Sequence, residues 1–118
     1  MLHAFKLYTS PSNDSHVLEG AVMENGHTDA IAIQFKESPP HTSMAWHDAP
    51  ERQYVITLSG TLRFTTRVGE TFILRPGDVL VAEDNVGSGH QWELIDDEPW
   101  RRVYVVMKPG ADDCFLPK

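Results

Sequence analysis

Residues 54–65 read Tyr54-Val55-Ile56-Thr57-Leu58-Ser59-Gly60-Thr61-Leu62-Arg63-Phe64-Thr65. A run rich in β-branched and aromatic residues meets Ser59-Gly60, a turn dipeptide, and a second run follows at once. In that second run Leu62 and Phe64 fall on one face, with Thr61, Arg63 and Thr65 on the other. A period of two belongs to a strand with one buried face. Two strands joined by a tight turn are the local unit, and the same pattern recurs on both sides. Ile31, Ile33 and Phe35 alternate with Ala32 and Gln34. Thr71-Phe72-Ile73-Leu74 stops at Arg75-Pro76-Gly77-Asp78, Val79-Leu80-Val81-Ala82 follows, His90 to Ile95 alternates again, and Arg102 to Met107 closes the series. Strand-length runs separated by turn residues predict an all-β chain.

No window carries a helical stripe of useful length, and most of the eight glycines and eight prolines fall between the runs. So many strands in 118 residues must close into a barrel or face each other as two sheets, because open edges invite pairing with other chains. The expectation is one jelly-roll β-barrel domain over residues 1–118. Its barrel proper spans about 31–107, an amino-terminal strand segment precedes it over 1–30, and a tail follows over 108–118. Residues 36–50 and 83–89 are the long irregular stretches, where a rigid barrel tends to carry its site.

Composition narrows the function. Seventeen acidic against ten basic residues give a net charge of -7, which disfavours phosphate backbones and anionic lipid, so neither nucleic acid nor membrane is an expected partner. One cysteine, Cys114, excludes an internal disulfide and any CxxC metal or redox motif. The first residues lack the basic and apolar regions of a secretion signal, and no run reaches the length of a membrane span. A cytoplasmic location is the expectation.

Two stretches concentrate chemistry-bearing side chains. The first is Trp46-His47-Asp48-Ala49-Pro50-Glu51-Arg52-Gln53, leading into the strand that ends at Gly60. The second is Pro76-Gly77-Asp78, a strand, then Glu83-Asp84-Asn85-Val86-Gly87-Ser88-Gly89-His90. Together they resemble the two motifs of the cupin family, small jelly-roll barrels. His47 stands at the first His of the first motif, Ala49 at the second, Gln53 at the Glu, and Gly60 at the closing Gly. In the second motif Gly77 fits the opening Gly, Glu83 takes the Pro place and Asn85 the Gly place. His90 comes two residues late, and Leu94 stands for the final Asn. The resemblance covers roughly Ile31 to Met107.

That resemblance implies a metal site in the barrel, of which this chain keeps two ligands, His47 and His90. Gln53 replaces a carboxylate by a neutral and weaker amide donor, and Ala49 removes an imidazole. A divalent ion (Fe, Mn, Ni or Zn) held by His47, Gln53 and His90 is one alternative, with Glu51, Glu83 or Asp48 as residues that could complete the set. The other is a metal-free polar pocket in which Gln53 satisfies the histidines. By strand parity Trp92 and Leu94 share the face of His90, and Trp46 abuts His47. The candidate ligand pocket is therefore Trp46, His47, Gln53, His90 and Trp92.

Other features carry less. Gly87-Ser88-Gly89-His90 lacks the strand-to-helix turn of a nucleophile elbow, and no helix N-terminus is present to hold a phosphate. Asp96-Asp97-Glu98 reads as a solvated hairpin tip, and Trp100 as surface packing or an oligomer contact. His3, His16 and His27 read as surface groups, while His41 lies on the approach to His47. Two function classes follow: a small-molecule-binding barrel, or a metal-dependent dioxygenase, isomerase or lyase acting on a small organic acid or sugar-derived compound. A structural or regulatory partner with no pocket chemistry is the third. A homodimer is implied by the resemblance, with Phe5-Lys6-Leu7-Tyr8 as the candidate edge strand.

Overall fold

The computed structural model describes residues Met1–Lys118 as eleven strands and no helix. They are β1 (Leu2–Thr9), β2 (Ser15–Val22), β3 (Ala30–Ser38), β4 (Ser43–His47), β5 (Gln53–Ser59), β6 (Leu62–Thr66), β7 (Thr71–Leu74), β8 (Val79–Glu83), β9 (His90–Leu94), β10 (Trp100–Met107) and β11 (Phe115–Pro117). A seven-stranded sheet has the order β11-β2-β1-β8-β5-β10-β3, and a four-stranded sheet has the order β4-β9-β6-β7. The two face each other as a jelly roll, as the alternating runs require. No helix of the chain is long and apolar enough to cross a membrane.

The core lies between the inward faces. Leu62, Phe64, Phe72, Leu74, Trp92 and Leu94 come from the small sheet, and Phe5, Leu7, Val55, Leu80 and Ala82 from the large one. Phe72 sits between two other rings, 4.6 Å from Phe5 and 4.9 Å from Phe64, so one aromatic stack ties the sheets together. Full burial of such a ring contributes roughly 1.5–3 kcal/mol, and each favourable ring pair about 0.5–1.5 kcal/mol more.

Three sequence expectations change here. Phe5-Lys6-Leu7-Tyr8 is not an edge strand: β1 lies between β2 and β8, pairing antiparallel with one and parallel with the other. Phe5 and Leu7 point into the core, which places the strand inside the sheet. Residues 36–50 hold the end of β3 and all of β4, whose exposed side chains hid the alternation. Residues 15–22 form β2, within the amino-terminal strand segment expected over 1–30. Asp96-Asp97-Glu98 is no hairpin tip; it carries the chain from β9 in one sheet to β10 in the other. The tail also contributes structure: β11 pairs with β2, and Ala111 and Phe115 pack on Tyr54, Val81 and Met107 over the outer face of the large sheet. Cys114, within this segment, is buried.

The pattern of β3 is inverted. Ile31, Ile33 and Phe35 face solvent, 61%, 62% and 73% exposed, while Gln34, Lys36 and Ser38 face the barrel interior. An outermost strand can carry apolar side chains away from the core, and periodicity alone does not say which face is inward.

At the other end of the sheet His3 bridges three elements. Its Nδ1 lies 2.8 Å from Asp78 Oδ1 and its Nε2 2.7 Å from Glu19 Oε2. Both nitrogens donate only when the ring is an imidazolium, so the bond to Asp78, with the one to Glu19, raises the His3 pKa above its ordinary value. A raised folded pKa contributes stability that is fully present below about pH 6.5 and is lost as pH rises through the folded value. We therefore expect His3→Asn to destabilise the protein more at pH 5.5 than at pH 8.5 in urea unfolding. An equal loss at both would show that the imidazolium is not what the two carboxylates hold.

Candidate functional site

The site forms where β4 meets β9. His47 and His90 are cross-strand partners, so their side chains leave the small sheet on the same face, side by side. Their ring centroids are 4.4 Å apart at 61°. Gly89 makes this approach feasible. Its φ is +80°, and a Cβ there would stand 2.5 Å from the carbonyl oxygen of His47, so any other residue would push β4 away.

Each imidazole is anchored through Nδ1. His47 Nδ1 donates to the Ala45 carbonyl at 2.8 Å. His90 Nδ1 bonds Asp84 Oδ2 at 2.6 Å, and the same oxygen accepts the Ser15 hydroxyl at 2.6 Å. Asp84 is fully buried, and its Oδ1 has no partner. A carboxylate or carbonyl at one ring nitrogen fixes the tautomer and leaves the other nitrogen with its lone pair. Burial above all lowers the His47 pKa, and the neighbouring His90 lowers it further. His47 is thus neutral at physiological pH, with Nε2 an acceptor or a ligand.

The two rings border a cavity of about 420 Å³, within the size range of small-molecule sites. Gln53, Val55 and Ala82 form its large-sheet wall, and Phe64, Trp92 and Met44 its small-sheet wall. Gln53 is buried, opposite Ala82 on β8 and Val106 on β10. Ala49, also buried, lines the cavity, its N–H donating to the Asp84 carbonyl at 2.9 Å and its own carbonyl accepting from Asn85 Nδ2 at 3.0 Å. These bonds tie the loop before β5 to the loop after β8, the two stretches singled out above.

Several candidates lie elsewhere. Trp46 is a correction: it is not among the cavity-lining residues, because adjacent residues on β4 face opposite ways, and its ring lies under the Arg67 guanidinium at 4.4 Å. Glu83 points away from the barrel, where it pairs with Arg52 and Lys6. Asp48 is exposed, and His41 is exposed against Asp97 at 2.9 Å. Only Glu51 of the three proposed carboxylates borders the cavity, and it is exposed at the rim. Trp100 is the opposite correction. It is 2% exposed, lines the cavity, donates from Nε1 to Thr57 Oγ1 at 3.3 Å and meets Trp92 edge to face at 4.7 Å.

Asp84, Ser15 and Arg102 were missed. Strand parity along Arg102–Met107 was the available signal for Arg102, since Arg102 and Tyr104 share one face. Asp84 follows its strand in a loop, where no parity applies, and Ser15 is adjacent only through the fold.

A cupin domain matches residues 35–112. The chain belongs to the cupin family. Solved structures agree on the fold. An uncharacterised protein with a double-stranded β-helix domain from Klebsiella pneumoniae is 23% identical, with TM-score 0.52 over 94% of this chain and 92% of that one. A protein of unknown function from Streptococcus pyogenes is 22% identical, with TM-score 0.52 over 70% and 68%. A CENP-C domain from Drosophila melanogaster is 13% identical, with TM-score 0.50 over 86% and 71%. No curated protein matches the chain.

The donor set can be compared with the metal the family resemblance implies. No group of three or more His, Cys, Asp or Glu side chains is arranged to hold a metal ion, and the buried carboxylate at the site, Asp84, lies behind His90. What remains is two imidazole nitrogens and one amide oxygen, with no carboxylate among them. These donors fit a weakly held ion and lack the anionic ligand of a tight one.

The anchored rings predict an NMR signature. Above pH 8 both His47 and His90 should be Nδ1–H tautomers in long-range ¹H–¹⁵N spectra, and Asp84→Ala should shift His90 alone toward the Nε2–H form. A His90 already in the Nε2–H form in the unmodified protein would remove Asp84 from its assigned role.

Proposed function

We propose that this protein binds a small molecule in the barrel cavity, against His47, His90 and Gln53, with Trp92 as an apolar wall. One observation carries the reading. The Nε2 atoms of both histidines and the side-chain amide of Gln53 border one cavity, and none of them hydrogen-bonds within the chain. These polar atoms open onto the cavity, the one fully buried side-chain atom without a partner being Asp84 Oδ1, and a ligand would supply their hydrogen-bond partners in place of water. Convergent polar groups set beside apolar wall residues such as Val55, Phe64 and Trp92 are a usual form of such a site.

A second reading, the metal-dependent enzyme acting on a small organic acid or sugar-derived compound, draws on the Nδ1 acceptors, which orient both rings as metal-ligating histidines are oriented. His47, His90 and Gln53 would hold Fe, Mn, Ni or Zn there, and the ion would supply Lewis acidity to an oxygen of the bound compound. His47→Ala combined with His90→Ala should abolish metal uptake measured by elemental analysis after loading. Gln53→Glu should tighten divalent binding in calorimetry by about tenfold or more, because it restores the missing negative donor. Full metal content in the double variant, or unchanged affinity in Gln53→Glu, would show that the ion sits elsewhere.

We further propose that the partner is a second copy of the chain, docked through β3. That strand is an outer edge of the large sheet and carries Ile31, Ile33 and Phe35 outward, while the carboxyl-terminal segment covers the same face farther along. Edge-to-edge pairing of β3 with its copy would satisfy the open backbone and bring the two apolar rows side by side on one continuous face. Light scattering should give a dimer for the native protein and a monomer for Ile33→Asp with Phe35→Asp. A native monomer at micromolar concentration would overturn the assignment.

A further inference from the structure

Arg102 is an anomaly for a chain with net charge -7. Its residue is 2% exposed on the inner face of β10, opposite Lys36 and Thr57. Its Nε donates to Tyr104 Oη at 3.1 Å, and Nη1 donates to Ser38 Oγ at 2.8 Å and to the Trp100 carbonyl at 3.0 Å. All three acceptors are neutral. The guanidinium carbon lies 3.8 Å from the Trp100 ring centroid, a contact that tolerates the charge without neutralising it. The remaining nitrogen, Nη2, donates to nothing in the chain. A guanidinium stays protonated in proteins, and buried charges are ordinarily paired.

Arg102 borders the same cavity as His47, His90 and Gln53, but from the other end. Gln53 lies opposite Val106 and Thr57 opposite Arg102, so the two are four residues apart along β5, about 13 Å of extended strand. Side chains reach inward from both ends, and Trp92 and Trp100 lie between. Lys36 adds positive charge at the wall, and the single bordering carboxylate, Glu51, sits exposed at the rim.

We infer that the occupant of the cavity is an organic carboxylate with an aromatic or other flat apolar body. Its carboxylate rests on the free edge of Arg102, its body lies against Trp92 and Trp100, and a hydroxyl or carbonyl at its far end meets His47, His90 and Gln53. A carboxylate fits better than a phosphate ester. Arg102 is the one buried cation at the cavity, Lys36 being exposed, and its single free nitrogen matches one negative charge, with no helix N-terminus present to bind a dianion. The inference rests on the cavity being a ligand site and adds the chemical class of the ligand.

The test compares 4-hydroxyphenylacetate and 3-(4-hydroxyphenyl)propanoate with their neutral amides. Calorimetry and intrinsic tryptophan fluorescence supply the readouts. The native protein should prefer each acid over its amide by about tenfold or more, as expected for a charge-assisted pair in a buried site. Arg102→Met should remove that preference while still binding the amide, and Arg102→Lys should keep part of it, providing a folded comparison should Arg102→Met fail to fold. Equal binding of acid and amide by the native protein, or a preference that survives in Arg102→Met, overturns the anion assignment and leaves the cavity reading standing. Binding of neither acid nor amide at millimolar concentration defeats the cavity reading, and the inference with it.

Discussion

The site depends on a carboxylate that never reaches the cavity. Asp84 Oδ2 holds the Ser15 hydroxyl and the His90 imidazole at the same 2.6 Å. Ser15 opens β2 of the large sheet, Asp84 follows β8 of that sheet, and His90 opens β9 of the small one. One oxygen atom therefore pins the two sheets together at the end of the barrel where the histidines lie. Taking a carboxylate out of water costs several kcal/mol even after relaxation, and here Oδ1 is left without a partner. The aromatic stack of Phe5, Phe72 and Phe64 offsets that cost in the core alongside.

From this anchor the geometry of the cavity follows in order. A fixed His90 places its cross-strand neighbour His47 beside it, and Gly89 lets the two strands close to that distance. Trp92, two residues along β9 from His90, faces the same way and meets Trp100, whose ring carries the Arg102 guanidinium. The cavity thus has imidazole and amide at one end, indole in the middle and a cation at the other. Each step is a consequence of strand parity once the first ring is held.

Parity also explains what could be read in the sequence and what could not. Leu62 with Phe64, and His90 with Trp92 and Leu94, were legible because each run has one polar and one apolar face. The motif spacing put His47 and Gln53 on the page as candidates without any three-dimensional information. On β3 the same rule gave the alternation but not its sense, since the inward residues Gln34 and Lys36 line a polar cavity rather than a core. Trp46 was misplaced because neighbours in sequence lie on opposite faces. Trp100 was misjudged because Glu98 and Pro99 suggest a turn, and the strand begins one residue later. Asp84 and Ser15 were invisible for a different reason. They meet only after β1 has paired with both β2 and β8, a long-range arrangement to which no local signal points.

The departures from the family motif and the buried arginine have one physical sense. A cavity built to hold a divalent cation gains from a carboxylate among its ligands, since negative charge compensates the ion. Gln53 is neutral where the motif has that carboxylate, and Ala49 has no donor where the motif has an imidazole. Arg102 then adds a permanent positive charge to the same wall, with no acid in the chain beside it. The neutralised position and the added cation move the potential in the same direction, away from a cation and toward an anion, while Ala49 removes a donor without changing the charge. An imidazole nitrogen with a free lone pair can accept from a hydroxyl as it can ligate a metal ion, so the two histidines suit either occupant.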